Sequence, residues 1–115
     1  MILSRSSQPL SKRVQTLDVQ RAAGLSSLLA IGCRSGDTVV GLSAIRRCEH
    51  LAYVFVDGSL AQRTLREMAT WEQRGACVFL VDEYVRLTEA FGRQDARVVG
   101  VHAGSLADGI AGRLA

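Results

Sequence analysis

Apolar residues first fall into rhythm at Leu17, Val19, Ala22, Leu25, Leu28, Leu29 and Ala30, a near-helical spacing that predicts a first helix stopped by the Gly32 to Gly36 stretch. Thr38-Val39-Val40 is β-branched and brief, so it reads as a short strand ending at Gly41. Leu42 to about Cys48 follows as a helix of barely two turns. Leu51 to Val56 has almost no polar interruption, the pattern of a strand covered on both faces. Its end is marked by Asp57-Gly58-Ser59, a turn in which Asp57 or Ser59 can cap the next helix. That helix runs to about Arg74: Ala61, Leu65, Met68 and Trp71 share one face, while Gln62, Arg63, Arg66, Glu67, Gln73 and Arg74 can face water, and Gly75 is its stop.

The pattern then repeats. Cys77 to Val81 is a second buried strand, Asp82 begins a helix through Tyr84, Leu87 and Phe91 that stops at Gly92, and Arg97 to Val101 is the last strand. A closing helix from Ser105 uses Leu106, Ile110 and Leu114. Strands alternating with helices of this size predict an α/β fold, a three-layer α/β/α sandwich around a four-stranded mixed sheet. Residues 1 to 15 lack any period and read as a flexible basic tail carrying Arg5, Lys12 and Arg13; residues 16 to 115 form one domain.

Composition agrees with a single compact domain: 48% of the 115 residues are apolar and 22% charged. No apolar run approaches the roughly 18 residues of a membrane helix. Met1-Ile2-Leu3 gives way at once to Ser4, Arg5, Ser6 and Ser7, so no secretory leader is expected and the expected compartment is the cytoplasm. Of the 14 basic residues all but Lys12 are arginine. Guanidinium offers a planar donor fork suited to phosphate and base edges, which makes nucleic acid a reasonable partner, although a GC-rich genome produces the same bias.

Cys33, Cys48 and Cys77 form no Cys-x-x-Cys pair and each lies in an apolar stretch, as small buried hydrophobes do. His50 and His102 have no acidic or cysteine cluster at ligand spacing, so neither a metal nor another cofactor is expected. No Ser-His-Asp order, paired carboxylates or phosphate loop is present, and the expectation is a protein that is not an enzyme.

Several short stretches, taken together, carry a family likeness. They are Arg34-Ser35-Gly36 after the first helix, Val40-Gly41 before the second, Ala44-Ile45-Arg46 within it, Val54-Phe55-Val56-Asp57 at a strand end, and Gly92-Arg93-Gln94-Asp95-Ala96-Arg97-Val98-Val99 leading into the last strand. With the order of elements, residues from about 20 to 114 resemble the ribosomal-protein superfamily of L-seven-Ae and L-thirty-e, and most nearly its small stand-alone bacterial members of the YlxQ type. The resemblance implies a ribonucleoprotein role, in which kink-turns or related internal loops of structured RNA, ribosomal RNA among them, are bound at three surfaces. Carried onto this chain, these are Gly41, Ser43, Arg46 and the neighbouring Arg47 at the second helix, Asp57 after the second strand, and Arg93 and Arg97 before the last strand, with Arg34 as a further cation of the same rim. Backbone N–H groups and arginine are the chemistry that such a partner requires.

The chain departs from the superfamily's Gly-x-Asn-Glu-x-x-Lys signature. Gly41 leads directly to Leu42-Ser43-Ala44-Ile45, no Asn or Glu is placed to read base edges, and Ser43 stands where the lysine is expected. The resemblance therefore implies structured-RNA binding rather than recognition of one named motif. Each residue also has a plainer role: Arg46 and Arg47 as solvated surface charges, Asp57 as a helix cap, Arg97 as an edge charge, and Trp71, Tyr53 and Phe55 as core. The alternative function is a protein-interaction or self-association module on the same fold, with a homodimer or a protein partner in place of RNA.

Overall fold

The computed structural model describes residues 14–91 and 96–114. Its longest helix, α1 (Val19–Ser35), begins where the Asp18 carboxylate accepts a bond from the Arg21 N–H, and ends where Gly36 adopts a left-handed conformation and donates to the Gly32 carbonyl. Between these caps Ala22, Leu25, Ser26, Leu29 and Ala30 recur at helical spacing and form its buried face.

A strand precedes it. β1 (Gln15–Leu17) pairs parallel with β4 (Cys77–Val81), Gln15 opposite Phe79 and Leu17 opposite Val81. The remaining strands are β2 (Thr38–Val40), β3 (Tyr53–Asp57) and β5 (Val98–Val101), and the sheet order is β1-β4-β3-β5-β2. The sheet is mixed, as expected, but has five strands rather than four. The spacing places Leu17 in the first helix and Gln15 in the tail, whereas both belong to β1, and Val14 packs against the core. Three residues are too few for a period of two to declare itself, and pairing with β4 is a long-range contact. The rest of the predicted tail, residues 1–13, lies outside the described residues, as do residues 92–95.

Side chains alternate across the strands and divide the core in two. Phe55, Phe79, Val81, Val99 and Val101 join Leu25 and Leu29 of α1, Leu87 of α4 (Val85–Thr88) and Ile110 of α5 (Ser105–Leu114). Val54, Val56, Val78 and Val98 join Ile45 of α2 (Leu42–Arg46) and Leu65, Met68 and Trp71 of α3 (Gln62–Ala69) and its continuation. The rings of Tyr53, Phe55 and Phe79 stack with centroids 5.6–6.3 Å apart. Complete burial of a side chain such as Phe55 or Leu29 contributes about 1.5–3 kcal/mol.

Other boundaries differ from the expected ones for local reasons. The helix expected to begin at Asp82 starts only at Val85, because Glu83 takes a left-handed conformation (φ 48°) that no helix interior permits, and Glu89–Phe91 tightens into a 3-10 turn. α3 likewise gives way to a 3-10 stretch, Thr70–Arg74, before the left-handed Gly75. Its N-cap is Ala61 without a side-chain bond, so neither Asp57 nor Ser59 caps it. The cysteines are less buried than expected: Cys33 and Cys48 are partly exposed and Cys77 is exposed. Trp71 and Phe55 are core, and Tyr53 is partly buried.

Candidate functional site

β1, β2, β3 and β4 all run one way and β5 the other, so four strand ends and the start of β5 meet at one edge of the sheet. The chain leaves β3 for α3 and leaves the adjacent, parallel β4 for α4, and these helices belong to different core clusters. Parallel neighbours whose chains depart to opposite sides leave a crevice at their C-terminal ends. A cleft of about 360 Å³ opens there, lined by Asp57, Ser59, Glu83, Tyr84, Val85, Ala96 and Arg97.

Backbone bonds fix this edge. The Asp57 N–H donates to the Arg97 carbonyl at 2.9 Å, the Gly58 N–H to Val81, and the Gly41 N–H to Val98 at 2.9 Å. The Asp57 carboxylate is fully engaged: Oδ1 accepts from the Ser59 N–H and hydroxyl, and Oδ2 from Arg97 Nη1 at 3.1 Å. Beneath it the Tyr84 hydroxyl donates to the Phe55 carbonyl at 2.7 Å. Burial, reinforced by the Asp57 carboxylate, pushes the Tyr84 phenol well above its ordinary pKa.

Carboxylates gather at this edge. Reading across the sheet, Asp18 follows β1, Asp82 and Glu83 follow β4, and Asp57 ends β3; Arg97 pairs with Asp57, and Arg86 Nε lies 4.0 Å from Glu83 Oε1. With Arg97 already paired to Asp57, the cleft offers no unpaired guanidinium to a bare phosphate among the described residues.

The residues expected to grip RNA are therefore divided. Gly41, Asp57 and Arg97 come together at this edge. Arg34 does not: it lies near the end of α1, which leads into Thr38, and Thr38 pairs with Val101 at the opposite end of β5. Ser43, Arg46 and Arg47 sit on or beside α2, which Gly41 introduces with φ 100°, a conformation that glycine adopts without strain. Arg93 lies outside the described residues.

α2 is seated by what β5 lacks. A Cβ on Gly100 would come within 2.6 Å of Ile45 Cδ1 and 2.9 Å of Leu51 Cδ1, so the bare glycine backbone is the hollow into which the fully buried Ile45 fits. At its far end Arg46 makes a two-pronged pair with Glu67 of α3, Nε to Oε2 at 2.7 Å and Nη2 to Oε1 at 2.8 Å. Hydrogen bonding with Arg46 holds the Glu67 carboxyl below its usual range and raises the guanidinium. Arg47, Arg63 and Arg66 are exposed and have no ion pair among the described residues.

Glu67 as the partner of Arg46, and Glu83 in the cleft, escaped the sequence reading. The Arg46–Glu67 pair spans 21 positions, and no local pattern announces it. Arg63, Arg66 and Glu67 were legible as a solvated helix face, but which element they adjoin was not. Among the described residues no three His, Cys, Asp or Glu side chains are placed to hold a metal ion, and no helix is long and apolar enough to cross a membrane.

Comparison with models of known protein families, with curated proteins and with solved structures finds no match to this chain.

Proposed function

We propose that this protein binds structured RNA, with α2 as the principal contact element on a three-layer α/β/α domain of the L-thirty-e kind. Support for the fold comes from the division of the helices, α1, α4 and α5 in one core cluster and α2 and α3 in the other. The observation that carries the function is α2 itself: a five-residue helix set on Gly41, showing Ser43, Arg46 and Arg47 to solvent and held by Ile45 over Gly100. Arg47 has no ion pair among the described residues and is available to phosphate, which arginine neutralises with release of counterions. Asp57 and Arg97, being paired, form a polar floor beside this contact, and Arg34 lies apart from it.

The test is a titration with a kink-turn RNA and an unrelated hairpin at two salt concentrations. Affinity should fall with salt, and the double change Arg46→Ala with Arg47→Ala should weaken binding by roughly tenfold or more while leaving the fold intact. Unchanged affinity in that variant would remove α2 from the contact.

A protein-interaction or self-association module on the same fold is the second reading, and one observation favours it. The described residues carry ten arginines and ten carboxylates, and the excess of basic over acidic groups falls on Arg5, Lys12, Arg13 and Arg93 against Asp95. No binding to either RNA, with a dimer in sedimentation or a defined protein partner, would replace the first reading with this one.

A further inference from the structure

The surface that α2 and α3 share holds more cationic charge than α2 alone. Arg63 and Glu67 are one turn apart on α3, Arg66 adjoins Glu67, and Glu67 meets Arg46 of α2, with Arg47 next in sequence. Arg46, Arg47, Arg63 and Arg66 are thus all exposed on α2, its C-terminal end and α3, with Glu67 bonded to Arg46 and Glu49 the exposed carboxylate that follows α2. The inner side of the same helix is apolar, with Leu65, Met68 and Ala69 buried, so these arginines have no route into the core.

We infer that the outer surface of α2 and α3 is a phosphate-binding surface for a double-helical RNA stem, in which Glu67 competes internally for Arg46. The inference rests on the RNA reading above and extends it to residues that reading does not use. A duplex is favoured over a single strand because, among the described residues, no Phe, Tyr or Trp ring of α2, α3 or its continuation is exposed for a base to stack on. Trp71, at the end of α3, is only 4% exposed, and the Arg74 guanidinium lies over its ring at 4.4 Å from the centroid. Contacts limited to guanidinium suit a partner whose bases are hidden and whose phosphates are regularly spaced. Glu67 lowers the charge of this surface as long as it holds Arg46; a phosphate offers Arg46 the same two-pronged geometry with more negative charge.

The probe is an uninterrupted RNA stem-loop, with three variants of the full chain compared with the unmodified protein and their folding checked by circular dichroism. Arg63→Glu with Arg66→Glu should weaken binding about tenfold or more and flatten the salt dependence by the equivalent of about two phosphate contacts. Glu67→Gln, which keeps the side chain's shape but frees Arg46 from a full negative charge, should tighten binding about two- to fivefold. Arg21→Glu with Arg113→Glu, the same charge change on α1 and α5, should leave the affinity within about twofold, since distant exposed charges are screened. Equal weakening by the two double reversals would overturn the inference in favour of a general charge effect, as would unchanged affinity in both α3 variants. If the unmodified chain bound no RNA at all, the RNA reading and this inference would fall together. Binding that ignored α3 but was lost with Arg46 and Arg47 would sink the inference alone.

Discussion

The strand-end cleft and the α2–α3 surface are built from similar residue types and treat charge in opposite ways. In the cleft Arg97 is committed to Asp57, Asp57 is committed to Ser59 as well, and Glu83 adds a further carboxylate. On the α2–α3 surface Arg46 has a carboxylate partner, while Arg47, Arg63 and Arg66 have none among the described residues. A hollow formed where crossovers diverge is the usual place to look for a ligand in an α/β sheet. Here, among the described residues, the charges that line the hollow are largely paired, and Arg47, Arg63 and Arg66 stand outside it without an ion pair. Topology picks out a cavity, but the side chains decide which polyanion or donor it can face.

The two regions also differ in what holds them. The cleft rests on β3 and β4, paired along five residues, and on the buried Tyr84 bond. α2 has no side-chain cap and too few residues to be stable alone, so tertiary packing supplies its stability. The largest expected effect follows: Ile45→Ala should cost about 2–5 kcal/mol by urea unfolding, and should raise amide exchange in α2 while α1 stays protected. Uniform exchange across both helices would show that α2 is not the weaker element. The same seat can be attacked from beneath. Gly100→Val, which drives new atoms into Ile45 and Leu51, should cost about 1–3 kcal/mol, again read by denaturant midpoint.

On the cleft side, Tyr84→Phe removes the side-chain donor to the Phe55 carbonyl and should cost about 1–2 kcal/mol. The variant also carries a pH signature. Because the folded-state pKa of Tyr84 lies above the unfolded value, the native state holds this proton more tightly than the unfolded chain. The stabilisation is whole below the unfolded value of about 10 and is lost as pH climbs from there through the folded value. Chemical denaturation across that range should therefore show a shallower alkaline loss in Tyr84→Phe than in the parent. The smallest effect is expected from Asp57→Asn, which keeps an acceptor for Ser59 and removes the charge facing Arg97. Stability should change by less than about 1 kcal/mol. Stem-loop affinity should rise slightly, because one acidic group leaves the edge beside α2. A fall in affinity would indicate that the edge itself touches RNA through Asp57.

Local patterns in the chain were enough to place most helices and strands. The face of α1 marked by Ala22, Leu25 and Leu29, its glycine stop, the uninterrupted run Val54-Phe55-Val56 and the face of α3 marked by Leu65, Met68 and Trp71 depend on spacing within one turn or one strand, which a sequence displays directly. The same holds for Gly41 and Gly75, whose positive φ belongs to a residue without a Cβ. Among the site residues, Arg46 and Arg47 were legible as cations on a short helix, but the engagement of Arg46 by Glu67 was not.

What only the tertiary structure decided is everything that depends on which strand lies beside which. β1 becomes a strand because β4 offers it an edge, and Glu83 breaks the expected helix where the chain turns away from the sheet. Parallel strands bring Asp18, Asp57 and Asp82 to the same end of the sheet, although those residues are far apart in the chain. Spacing along a polymer is set by local geometry and survives in the sequence. Proximity between distant segments is set by burial of both sheet faces at once, and no single segment records it.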